Sequence, residues 1–479
     1  MHVVLLTLFA AALQAQAIDW NRLRPEILQR FQDLIRIDTS SPPGNETKAV
    51  DYVCRVLESE GIPCKVFAME PSRANAVARI RGNGRKRPLL VLAHTDVVGV
   101  QREKWPVDPF GGVLKGGYAW GRGTVDDKPH VAAGLMLMLL LKRNRVALDR
   151  DVIFLAESGE EGNHRVGINY MVEHHFAEID AEYAITEGGG ATLEGGRVAA
   201  VKIETTEKIP RGVKLVVRGT SGHGSRPRTD NAVVRLGSAV SKLGAWQTPM
   251  RLNDTTRTYF ERLATISPPD KAARYNGISD PKRSADIQRY FAEHEPGHYS
   301  MLRTSVVPTQ LRAGFRLNVI PSEAEALVDI RVLPDEDWTR FTAEMKRVIA
   351  DPGVEISSAI DLVRPASPPS RLDTEMFRVL ESTAKRMFPG TAVLPLMSTG
   401  ATDMAQLRSR GIQSYGIGPA ATEDDSINYG AHSDVERLRE ESLYRFVEYV
   451  WEVSTAIAGP VAKANAAAAP PATPASARP

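Results

Sequence analysis

Five short stretches of this 479-residue chain carry side chains suited to metal ligation or acid–base work. His94 and Asp96 close the apolar run in "LLVLAHTDVVGV" (89–100), Asp126 lies in "GRGTVDDKPH", and Glu160 and Glu161 stand together in "AESGEEGN". Glu187 follows in "AITEGGG", and His432 in "YGAHSDVERL". Two imidazoles with several carboxylates and no thiolate suit zinc, cobalt or manganese, and not a structural thiolate zinc site. Two histidines and three carboxylates can hold two ions that share one carboxylate, and such a pair polarises a scissile carbonyl and activates water. Each group also has a bland reading: Asp126 and Asp127 as helix-capping loop acids, Glu160 and Glu161 as a solvated pair, His432 as a polar loop residue. The coincidence of all five argues for a site.

The elements around these residues say how they would meet. From Ile18 to about Glu204, amphipathic helical stretches ("RPEILQRFQDLIRID", "KAVDYVCRVLESEG") alternate with short apolar runs ("LLVLAHTD", "DVIFLAES", "EYAITEG"). That alternation predicts an α/β layer, a mostly parallel sheet covered by helices. In such sheets sites form beyond the carboxyl ends of strands, where each cluster falls. Period-two geometry puts His94 and Asp96 on one side of their strand. From about Thr205 the order becomes β-α-β-β-α-β, running from "VKLVVRGTSGHGS" to "VEISSAI", the pattern of a ferredoxin-like α+β domain. A polar segment at about 251–300 is expected to form extra helices and loop inside it. The α/β pattern returns after "RPASPPSR", with a helix "TEMFRVLESTAKRMF" and a last helix near 434–458. The domain organisation expected is therefore a discontinuous catalytic domain, 18–205 and 363–460, interrupted by a lid at 206–362.

Composition excludes some functions. A net charge of +2 and no basic stripe with interleaved aromatics leave no case for nucleic acid. "VVLLTLFAAAL" is too short to span a bilayer and is followed by small residues at Ala15 and Ala17. Residues 1–17 read as a signal peptide cleaved before Ile18, against the alternative of an anchoring helix. The mature chain would then be periplasmic or secreted, with no stable membrane span. Cys54 and Cys64 are the only cysteines; the expectation favours two small buried hydrophobes over a disulfide. The Ala/Pro-rich 461–479 reads as a disordered tail.

With these motifs in this order, the chain resembles the dinuclear zinc amidohydrolases and peptidases that include aminoacylase, succinyl-diaminopimelate desuccinylase, carnosinase and glutamate carboxypeptidase. The resemblance runs from the His-x-Asp strand through the inserted domain to the last histidine. It implies a zinc-peptidase-like sheet and two Zn2+, with Co2+ or Mn2+ as substitutes. It assigns His94, Asp126, Glu161, Glu187 and His432 as ligands, Asp126 bridging, and Asp96 as the carboxylate that orients His94. Glu160 becomes the general base that takes a proton from the bridging water and returns it to the leaving amine. Pro129 and His130 depart from the family pattern, and His130 is not expected to ligate.

The same resemblance gives the inserted domain a role. His223 in "GTSGHGSRP" would donate to the developing oxyanion, often from a partner subunit, against the alternative of a turn histidine. Asn318 and Arg331 would hold a substrate carboxylate, with Gly400, Ala401 and Thr402 of "STGATDM" beside it. Arg331 could instead face water from a strand edge. A homodimer through the lid is implied. The "GHGSRP" loop and the long insertion look more like carboxypeptidase S and secreted N-acyl-amino-acid hydrolases than like carnosinase. The expected substrate is a small peptide or an N-acyl amino acid cleaved at the amide next to a free carboxylate. The alternatives are an inactive metal-binding or recognition protein on the same scaffold, which would be expected to lack Glu160, and a deacylase of a biosynthetic N-acyl diamino acid.

Overall fold

The computed structural model describes residues 18–460. The expected signal peptide (1–17) and tail (461–479) lie outside the described residues.

A ten-stranded sheet forms the larger layer. Its centre is four parallel strands in the order Val152–Glu157, Leu89–His94, Tyr183–Thr186 and Gln413–Gly416. Three of these are buried at every residue, which is why they read as apolar runs without alternation. The antiparallel strands Arg73–Ile80 and Cys64–Glu70 extend one flank. The long strand Arg197–Glu207 extends the other, paired with Gly190–Glu194 and Ala392–Ser398.

Helices Trp20–Ile35, Thr47–Ser59, Lys128–Arg143, Glu375–Met387 and Glu440–Ala458 share one core with the sheet. Lys128–Arg143 is buried from Lys128 through Leu141, so its run of leucines and methionines serves the centre of this layer. No helix among the described residues is long and apolar enough to cross a membrane. The last helix begins at Glu440, later than the sequence pattern suggested, because 429–439 forms a loop and the short strand Arg437–Arg439.

The inserted segment carries a second sheet of Val213–Arg218, Ser305–Ala313, Glu323–Val332 and Val354–Ser358. Numbered in chain order these lie 4-1-3-2, all antiparallel, the ferredoxin-like arrangement. Helices Ala232–Ala245 and Trp338–Ile349 cover one face and share its core. The polar segment forms four helices between Asp254 and Met301. Its aromatics Tyr259, Phe260, Tyr275 and Phe291 pack with Ala200, Leu394 and Met397 of the large sheet, so these helices belong to the larger layer's packing although they sit inside the insertion.

Cys54 and Cys64 form a disulfide, with Cα atoms 5.3 Å apart, which corrects the expectation of two unlinked hydrophobes. The helix Thr47–Ser59 turns directly into the strand Cys64–Glu70, and this reversal brings the two thiols together.

Candidate metal centre and active site

The carboxyl ends of the parallel strands deliver the predicted ligands to one place. His94 ends its strand, Glu187 follows Thr186 directly, and Glu160 and Glu161 follow Glu157 by a tight turn. His94 is buried, its Nε2 2.9 Å from Asp126 Oδ1 and 3.8 Å from Glu187 Oε1. On the other side, His432 Nε2 lies 2.8 Å from Glu161 Oε1 and 3.3 Å from Asp126 Oδ2. Asp126 thus offers one oxygen to each histidine, the disposition a bridging carboxylate needs. Potential ligand atoms of His94, Asp126 and Glu161 lie within 4.8 Å of one another, as do those of His94, Glu160 and Glu187.

The electrostatics describe a site built for cations. Glu187 is held well above the usual carboxylate range, first by burial and then by the charge of Asp126. Burial also raises Glu160, to about 8, against the lowering influence of Arg364. His432 is raised to about 10 by its hydrogen bonds to Asp126 and Glu161. Four carboxylates and two imidazoles converge with no thiolate, and the mutual repulsion of the acids is relieved when dications bind. The donor set fits zinc, cobalt or manganese.

Asp96 does more than the sequence suggested. Its Oδ1 is 3.5 Å from His94 Nδ1, whose nearer partner is the Asp96 carbonyl at 3.0 Å. The carboxylate also accepts the backbone N–H groups of Glu160 and Glu161, at 3.2 and 3.1 Å, so one side chain ties the histidine strand to the Glu160–Glu161 loop. Asp127 accepts from the N–H of His94 and pairs with His130, whose other ring nitrogen meets the carbonyl of Ile417. His130 is buried and lines the cavity beside Asp126 and Glu187.

Two residues that sequence reasoning passed over complete the support. Glu436 is fully buried; its Oε1 accepts from the N–H groups of Val125 (2.7 Å) and Asp126 (3.2 Å). Its Oε2 accepts from the Gly123 N–H (3.1 Å) and from Arg122 (2.6 Å). The loop that ends in Asp126 is therefore moulded onto a carboxylate four residues beyond His432. His432 itself is left-handed at φ 65°, a conformation a non-glycine residue keeps only when its surroundings enforce it. Arg437 pins the base of that loop, its guanidinium 3.4 Å from the centre of the Tyr429 ring and 4.1 Å from that of Tyr118. Arg364, the second omission, reaches Glu160 from the segment after the inserted domain.

The expected substrate-binding residues are more dispersed. His223 is exposed on the two-residue strand Gly222–His223, its Nδ1 2.7 Å from the Ser225 hydroxyl, and among the described residues it joins no metal cluster. Asn318 lies beside it, its carbonyl accepting from Gly224 at 2.8 Å. Arg331 forms a two-point pair with Asp329 on the same strand, and Gly400 is exposed with its N–H on Ser398 Oγ. Thr402 is buried; its hydroxyl and N–H both donate to Glu207, and its carbonyl accepts from Arg364, so its polar groups are engaged inside the fold.

A cavity of about 630 Å³ opens beside Asp126 and Glu187, walled by both apolar residues (Ala191, Leu193, Ile417) and charged ones (Glu194, Glu423, Arg437). Its size is in the range of small-molecule sites.

Residues 90–454 match the family model of Peptidase family M20/M25/M40. The chain belongs to this family. It is 29% identical over 376 residues to "Probable carboxypeptidase S-like 2" of Dictyostelium discoideum, covering 77% of this chain and 71% of that one. It is 28% identical over 382 residues to "N-fatty-acyl-amino acid synthase/hydrolase PM20D1" of Homo sapiens, covering 77% and 73%. Among solved structures, the M20 family metallo-carboxypeptidase Sso-CP2 from Sulfolobus solfataricus superposes with a TM-score of 0.69 at 19% identity, covering 89% of this chain and 98% of that one. The protein is thus a metal-dependent hydrolase of amide bonds with the M20 α/β fold.

Proposed function

We propose that the protein is an exported hydrolase with two zinc ions that cleaves the amide next to a free carboxylate, in a short peptide or an N-acyl amino acid. The observation that carries this reading is Asp126, with one oxygen on His94 and the other on His432, beside Glu160, whose Oε1 is held by Arg364. His94, Asp126 and Glu187 would hold one ion, and His432, Asp126 and Glu161 the other. When bound, the ions polarise the scissile carbonyl and make water acidic enough to attack near neutral pH. Glu160 takes the proton from the attacking water and delivers it to the leaving nitrogen. Asp96 keeps His94 and the Glu160–Glu161 loop in register. The relatives named for carboxypeptidase S and for N-fatty-acyl-amino acids both support a substrate ending in a carboxylate.

His223, Asn318, Arg331 and Gly400 would hold the carboxylate and the oxyanion. The exposure of His223 supports its acting across a homodimer. Val307, Leu311, Phe315 and Leu317, all more than half exposed on the same domain, support a second copy there as the partner. The Cys54–Cys64 disulfide supports export, because such bonds persist in oxidising compartments.

A panel of dipeptides and N-acyl amino acids, each as free acid and as C-terminal amide, tests the reading with the zinc-loaded protein. Free acids should be cleaved at least about tenfold faster, the minimum expected from losing one charge-assisted pair. Equal rates would remove the carboxylate requirement.

A further inference from the structure

Arg364 stands in the segment that returns the chain from the lid strand Val354–Ser358 to the helix Glu375–Met387. Its side chain is 8% exposed. Nη1 donates to the Thr402 carbonyl (2.5 Å) and to Asp403 Oδ1 (2.6 Å), while Nη2 donates to Glu160 Oε1 at 2.6 Å. One planar guanidinium therefore joins carboxylates from two separate loops, a task that its fixed fork performs and a lysine cannot duplicate. Asp403 balances the positive charge, so Arg364 acts on Glu160 mainly as a clamp.

Glu160 needs such a clamp. It has three side-chain torsions, and it stands among acids, with an oxygen within 4.8 Å of potential ligand atoms of His94 and Glu187. A carboxylate with that freedom samples several rotamers beside the cluster unless a partner holds it. Arg364 Nη2 is the only protein donor to the Glu160 side chain among the described residues, and it occupies Oε1, leaving Oε2 without a protein partner. The clamp is itself mounted on the junction between the domains. The Arg364 carbonyl accepts from Arg211 at 3.0 Å, and Ala359 N–H donates to the Gly212 carbonyl at 2.9 Å, so the segments that enter and leave the lid are fastened together beside it.

We propose that Arg364 is a positioning residue that holds Oε1 of Glu160 and, through its place on the lid's return segment, makes the placement of the base depend on how the lid is seated. The inference rests on the reading of Glu160 as the base. A base held loosely loses rate without losing substrate affinity or metal, because neither ligands nor substrate contacts are touched.

The test compares Arg364→Gln, Arg364→Lys and Glu160→Gln with the wild type as metal-loaded full chains, reading kcat, KM, metal per chain and Tm. Arg364→Gln should lower kcat about 100-fold, the lower end of acid–base contributions, with KM within about threefold and full metal content. Arg364→Lys, which can hold one carboxylate, should recover about tenfold of that loss. A folded, metal-loaded Arg364→Gln protein with wild-type kcat overturns the proposal, as does a loss of rate that Lys does not relieve. If the Gln variant does not fold, the Lys variant decides: kcat about tenfold low with KM and metal unchanged supports the clamp, and wild-type kcat overturns it. Wild-type turnover by Glu160→Gln would instead remove the base reading itself, whereas an inactive Glu160→Gln beside fully active Arg364 variants sinks this inference alone.

Discussion

At the carboxyl ends of the parallel strands, each of the five proposed ligand side chains lies within 4 Å of another of the set, and the loops beneath them are gripped in turn by Asp96 and Glu436. On the lid, His223 and Asn318 sit exposed on a small ribbon, and the imidazole meets the nearby Ser225 as its one side-chain hydrogen-bond partner among the described residues. The first region is pre-organised within one chain. The second is held in shape by its own ribbon and presents its polar groups outward. Under the proposed function, metal binding should therefore survive changes in the lid, while the oxyanion end should depend on assembly.

Four experiments press on that difference. The largest effect is expected from Asp126→Ala, which removes both shared oxygens: metal per chain should fall below one ion and kcat by at least about 1,000-fold. Retention of two ions would contradict the bridging assignment. His223→Ala should cost about 100-fold in kcat, as for loss of one oxyanion donor, with full metal content. Mixing it with an inactive Glu160→Gln protein should restore part of the activity if His223 acts from the second copy. No recovery in mixed dimers would place its role within one chain.

The next effect concerns stability alone. Replacing Cys54 and Cys64 by serine opens a loop of ten-residue separation, and should cost about 3 kcal/mol measured by denaturant unfolding, with kcat unchanged. The smallest is a pH effect at His164, buried beside the active-site loops and lowered to about 4, first by burial and then by the charge of Arg364. Between its ordinary 6.5 and 4, the unfolded chain binds a proton that the folded chain refuses. Its contribution is therefore complete above pH 6.5 and is lost as the pH falls, by about 2 kcal/mol at pH 5. His164→Gln should flatten that part of the Tm profile; an unchanged profile would assign the acid sensitivity elsewhere.

The same contrast explains what the sequence made legible. His94, Glu160, Glu161 and Glu187 could be placed because a parallel strand buried on both faces is a continuous apolar run, and its carboxyl end is where the polar residues begin. The alternation in "EAEALVDIRVLP" likewise exposed the lid strand Glu323–Val332, which is buried at every second residue. Glu436 and Arg364 were invisible for a different reason. Their partners lie 310 and 204 positions away, and much of what Glu436 binds is backbone N–H, which leaves no trace in residue type. The burial of Thr402 is not legible in the sequence, because a glycine-rich loop suggests access, while the residue that claims its hydroxyl, Glu207, is 195 positions earlier. The disulfide is the less favoured reading in the sequence because cysteine spacing alone does not show how closely a helix doubles back onto the next strand.

The central claim is that a two-ion centre stands preformed with Glu160 as its base, and Glu160→Gln tests it most directly when turnover and metal are measured on the same sample. The expected result is two ions per chain together with a kcat at least about 1,000-fold below wild type, within the range for a lost general base. A metal-loaded Glu160→Gln protein that turns over at the wild-type rate would contradict it.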